Sequence, residues 1–177
     1  MDAHVEEQYP YEAMRDQCTL NGTRPAPLSP GAFAAVMAGK GFTNGKDDRP
    51  LVIRLYTEHF THHFSKVSEL MYATLGWGDD HAEHIAQVIE TGAMTNIECL
   101  RLGSNDIGDR GAMALARALS VACPPKLQRI MLIDNRIRDA GRRALEAALQ
   151  HLDEARRDTM LMGIEYQQQQ EQMPSEG

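Results

Sequence analysis

Cysteine is scarce in this 177-residue chain: Cys18, Cys99 and Cys123 are odd in number, widely spaced and form no CxxC pair. This argues against a disulfide framework or a cysteine zinc site, and fits reduced thiols in a cytoplasmic or nuclear, intracellular setting. Positive charge is short as well. A net charge of −7 provides no basic stripe to displace counterions from phosphates, so nonspecific nucleic-acid binding is not expected. No apolar run reaches the length that crosses a bilayer, so membrane insertion is not expected either. The first residues, MDAHVEEQYPYEAM, lack the basic and apolar segments of a secretory signal and the Arg-rich amphipathic pattern of a transit peptide. The short motifs of catalysis are also missing: no GxSxG, P-loop, GxGxxG after a strand, or HExxH occurs. A non-enzymatic protein without cofactors is the expectation.

What the chain does contain is a period. In NIECLRLGSNDIGDRGAMALARAL (96–119), Ile97, Leu100 and Leu102 have strand-like spacing, and after Ile107 the apolar residues take helical spacing through Leu115 and Leu119. One such strand-turn-helix unit cannot bury both of its apolar edges, so further copies are expected. PKLQRIMLIDNRIRDAGRRALEAAL (125–149) repeats the pattern thirty residues later without a gap. Asn135, Ile137, Asp139, Gly141 and Leu145 fall on Asn105, Ile107, Asp109, Gly111 and Leu115. KVSELMYATLGWGDDHAEHIAQVIE (66–90) is a weaker copy, with Leu75 in the Asn position, Trp77 in the Ile position and His81 in the Gly position. A fixed period of this length marks a repeat architecture.

The flanks differ. Residues 1–49 read as an irregular or partly disordered leader, since the first fifty residues hold five of the eight prolines. One short helix is expected there, over 30–38, with Ser29 as its cap and Pro30 at its first position. LVIRLYTEHFTHHF (51–64) reads as a helix covering the first repeat, its core side formed by Leu51, Leu55, Phe60 and Phe64. Beyond the last helix, Met160 and Met162 fall on strand positions and suggest a partial edge strand over 158–164. YQQQQEQMPSEG (166–177) reads as a disordered tail.

The pattern LxxLxLxxNxIxDxGxxxLxxxL resembles the leucine-rich repeat in its ribonuclease-inhibitor-like variety. The resemblance implies a short α/β solenoid, with strand and helix leucines meeting in a core and a parallel sheet on the concave face. The repeat domain would span 50–165, with repeats at about 67–96, 97–126 and 127–156. It implies structural roles for Asn105 and Asn135, buried and bonding neighbouring loop backbone as a ladder. Leu75 cannot supply such a rung, so the first repeat should have a looser, more apolar loop beside Trp77. Trp77 itself fits the core better than an interface. Asp109 and Asp139 suit helix capping, and Gly111 and Gly141 suit close packing or unusual dihedrals.

Strand residues between the core positions point away from the core. In register they give Met71, Arg101, Met131 and Leu161 in one row, Ala73, Gly103, Ile133 and Gly163 in the next, and Glu69, Cys99, Arg129 and Thr159 in the third. Met71, Arg101, Arg129, Met131, Ile133 and Leu161 are therefore the candidate partner-binding residues, the small residues beside them leaving room for a partner to approach. Two arrangements fit: a protein partner occupies this face, or the leader folds over it with Phe33, Val36, Met37 and Phe42. The family's breadth suggests a non-catalytic interaction module or assembly subunit. The alternative is a regulator of an enzyme such as a small GTPase, acting through Asn105, Asp106 and Arg136 at the loop edge. His59 and His63 share a helical face, but no third ligand is evident, so no metal site is assigned. Oligomeric state is not readable from the sequence.

Overall fold

A computed structural model describes residues 25–41 and 48–165, with backbone alone for 161–165. In chain order the elements are α1 (Pro30–Ala38), α2 (Arg49–Phe64), β1 (Glu69–Met71), α3 (Asp79–Glu90), β2 (Cys99–Arg101), α4 (Asp109–Ala122), β3 (Arg129–Met131), α5 (Asp139–Leu149) and α6 (Glu154–Glu165). The tail at 166–177, most of the leader and Phe42 lie outside the described residues.

Three strand-helix units make the body. Their strands form one parallel sheet in the order β1-β2-β3. The pairing keeps the thirty-residue period: Leu70 faces Leu100 and Leu100 faces Ile130. The ladder runs past the short strands, with Tyr72 N–H donating to Arg101 O at 2.9 Å and Leu102 N–H to Met131 O at 2.8 Å. The chain then turns through a left-handed residue at the same place each time, Thr74, Ser104 and Asp134, with φ of 58°, 53° and 57°. Only a constraint repeated in the fold holds three non-glycine residues there, one of them β-branched.

Each helix closes its unit by turning an apolar stripe onto the strands. Ile85 and Ile89, Leu115 and Leu119, and Leu145 and Leu149 meet Leu70, Leu100, Leu102, Ile130 and Leu132 in one buried cluster. Burying each such side chain contributes about 1.5–3 kcal/mol. α4 is rich in alanine, which favours helix and keeps it slim enough to pack between two neighbouring helices.

The ends are closed by different means. At the start, α2 inserts Phe60 and Phe64, but Leu51 and Leu55 are 45% and 53% exposed rather than part of the core side. The physical reason is helical phase: Tyr56, Phe60 and Phe64 share one stripe at intervals of four, and Leu55 lies five residues from Phe60, well round the helix. α1 packs on α2, Phe33 stacking on Tyr56 at a ring distance of 3.8 Å. At the other end, residues 158–164 are helix and not an edge strand. Asp153 accepts the N–H of Arg156 at 3.0 Å and starts α6, and helix formers follow it. α6 packs against β3 with Met160 fully buried, so Met160 reaches the core from a helix. The Arg156 guanidinium fastens α6 by donating to Leu127 O at 2.7 Å.

Candidate functional site

Two ladders of side-chain hydrogen bonds tie the units together, and they run in opposite directions. Asn105 reaches back. Its Oδ1 accepts the N–H groups of Leu75 and Trp77, each at 3.0 Å, and its Nδ2 donates to Tyr72 O at 2.8 Å and Leu102 O at 2.9 Å. Asn135 does the same one unit later, accepting Ile107 N–H at 3.0 Å and donating to Leu102 O at 2.9 Å. A buried amide is tolerated because its donors and acceptor are met by backbone. The loop beside Trp77 is therefore not loose: Asn105 holds it, and Leu75 needs no amide because among the described residues no earlier strand-helix unit lies behind it. Leu75 and Trp77 are buried, Trp77 completely.

The aspartates reach forward. Asp79 Oδ1 accepts Gly108 N–H at 2.7 Å and Gly111 N–H at 2.9 Å. Asp109 Oδ1 accepts Arg138 N–H at 2.8 Å and Gly141 N–H at 2.9 Å. Asp109 caps the helix after its own, and Asp139, with no further strand-helix unit after it among the described residues, stays exposed near Arg142 and Arg143. Gly111 and Gly141 permit the approach. A Cβ at Gly111 would lie 2.8 Å from Asp79 Oδ1 and 2.9 Å from the Ala82 Cβ, and Gly141 is as crowded against Asp109 and Ala112. Their role is close packing, not an unusual dihedral.

The outward sheet face carries most of the candidate binding residues, but not as an open row. Met71 is 47% exposed. Arg101 is held across the sheet: its Nε bonds Glu69, and one terminal nitrogen lies 3.2 Å from Met131 Sδ. Ile133 is half-buried, its methyl 3.1 Å from where a Gly103 Cβ would stand, so the room expected at 103 is filled. Arg129 is exposed and makes no ion pair among the described residues. Leu161 lies in α6 and not on the sheet. Cys99 is buried within this face, and burial pushes its thiol up, away from a reactive thiolate. The described leader does not run along these strands; Phe33 goes to α2, and Val36 is exposed.

The loop edge is occupied by its own structure. Asn105 spends its amide on backbone, and Arg136 pairs with Asp106 at 2.9 Å. His59 and His63 stack with ring centroids 6.3 Å apart on exposed helix, and no group of three or more His, Cys, Asp or Glu among the described residues could hold a metal. No described helix is long and apolar enough to cross a membrane.

A cavity of about 390 Å³ was not legible in the sequence. Pro25, Leu28, Phe33 and Tyr56 line it on the leader and α2 side, and Asp80, His81 and His84 on α3. The one available signal was the departure of His81 from the repeat pattern.

Residues 93–116 match the family model described as Leucine Rich repeat. No curated protein matches the chain. The matched span holds β2, the Asn105 rung and the first half of α4. Repeats of this family are generally non-catalytic and commonly serve as protein-interaction modules. The match and the thirty-residue geometry around it support a leucine-rich repeat protein.

Proposed function

We propose that the chain is a capped α/β solenoid of three leucine-rich repeats of the ribonuclease-inhibitor-like variety, and that its outward strand face binds a partner protein without catalysis. The strand-helix alternation, the Asn rungs and the helical caps α2 and α6 support the architecture. In this reading the repeat domain spans 50–165 between a leader and a tail, and the protein works in the cytoplasm or nucleus.

The observation that carries the binding reading is Met71, half-exposed on a strand beside Arg101, which Glu69 and Met131 hold flat against the sheet. An ordered, partly apolar face with a positioned guanidinium suits a partner that presents an apolar side chain next to a carboxylate. Arg129 supplies a second cation at the rim. Because Asn105 and Arg136 are committed within the fold, the loop edge is the poorer surface for regulating an enzyme.

A pull-down from native extract tests this with the wild type and a Met71→Asp/Arg129→Glu variant that retains a cooperative melt. Both side chains are exposed, so the fold is expected to survive. Loss of a specific partner with the fold intact supports the reading. Equal recovery of every partner by both proteins contradicts it.

A further inference from the structure

The first unit caps its helix differently from the other two. Thirty residues before Asp79 the chain has Arg49, so the register position that supplies the forward-reaching carboxylate in the later units holds a cation here. The Gly78 N–H goes instead to His81 Nδ1, at 3.3 Å. His81 stands where Gly111 and Gly141 stand in the later units, and its ring lies flat on Trp77, with centroids 5.5 Å apart and planes 8° apart. The space a preceding repeat would fill is covered by the leader: Ala26 joins the buried core, and Tyr56 ties the leader down by donating to Leu28 O at 2.7 Å. The imidazole borders the cavity between the two.

An imidazole nitrogen accepts a hydrogen bond only while it carries no proton. We propose that His81 is a proton-operated latch on the N-terminal cap: neutral, it caps α3 and seats the leader; protonated, it opposes the Gly78 N–H with a second donor, and the leader loosens from the first repeat.

The groups that face the ring agree with this. On α3 they are Asp80 and His84. The Asp80 carboxylate is committed to Arg110 of α4, whose hydrogen bond and charge hold it below the usual range. From α2 comes the Tyr56 phenol, pushed up by burial. The leader residues lining the cavity, Pro25, Ala26, Pro27, Leu28 and Phe33, carry no charge. Burial, and secondarily His84, hold the His81 imidazole below its ordinary range, against the opposing pull of Asp80. A folded-state value below the unfolded one means that the cap is fully present above about pH 6.5 and is lost as pH falls from there through the folded value.

Hydrogen exchange on the full chain, with rates normalised for intrinsic pH dependence, tests the latch at several pH values between 7.5 and 5. Normalised exchange at Gly78 and around Leu28 is expected to rise as pH falls, by up to roughly tenfold per pH unit for one linked proton. α4 and α5 should not follow. A His84→Asn variant should keep the response, and His81→Asn, whose side-chain oxygen accepts at any pH in this range, should flatten it. A wild type with no such rise, or His81→Asn with an unchanged one, overturns the proposal. If His81→Asn does not fold, the wild-type profile at Gly78 and Leu28 decides alone.

Discussion

Asp109 belongs to one helix and caps the next: its Oδ1 accepts the N–H of Gly141 at 2.9 Å, across the boundary between two repeats. With Asn105 and Asn135 reaching the other way, every neighbouring pair of units is held by an amide rung at the loops and a carboxylate rung at the helix starts. Part of the stability is therefore shared between neighbours and adds to what each unit holds by itself.

Replacing Asn105 by Leu should be among the most damaging single changes. It strands the N–H groups of Leu75 and Trp77 and the Tyr72 carbonyl, each at about 1–3 kcal/mol if left unpaired. We expect a loss of about 3 kcal/mol or more in urea unfolding. Asn135→Leu should cost less because its site is only half-buried.

Alanine at two helical glycines should have opposite effects. At Gly111 the new methyl meets Asp79, Ala82 and Ile107, all under 3.0 Å, so overpacking of about 1–3 kcal/mol outweighs the gain in helix propensity. At Gly31 nothing lies within 4 Å, and alanine should be neutral or stabilising by up to about 1 kcal/mol. Thermal melts of the two variants check the signs.

Met160→Ala empties a fully buried site under the C-terminal cap and should cost about 2–5 kcal/mol. Equilibrium unfolding measures it. A cost near zero would mean that α6 does not close the repeat stack.

Cys99 should resist iodoacetamide at neutral pH while the sheet stands, because it is buried and burial pushes its thiol up. Mass spectrometry should find it alkylated once urea unfolds the chain.

Much of this was legible in the sequence because the period was. Thirty-residue spacing placed the strands, their register and the Asn rungs, since a parallel stack leaves each equivalent residue the same surroundings. Direction was not legible. Asp109 at a helix start looks the same whether it caps its own helix or the next, and only the packing distance to Gly141 decides. The end helices were harder, because they have one neighbour instead of two. Leu51 and Leu55 are apolar but out of phase with Phe60 and Phe64, and Met160 fits a strand position while capping by Asp153 turns its segment into helix. On the outward face the sequence aligned the residues of the three strands, but it counted Thr159, Leu161 and Gly163 of α6 as a fourth strand. Nor did it show that Arg101 would lie across Glu69 and Met131, or that Ile133 would fill the space beside Gly103.

The most direct test of the proposed binding face is site-specific photocrosslinking in the native extract. A photoreactive residue is placed at Met71 on the sheet and, in a separate protein, at Met113 on α4, two positions of nearly equal exposure. A discrete adduct formed from position 71 and absent from position 113 is the expected result. The same adduct from position 113 alone would contradict it and move the working surface to the helices.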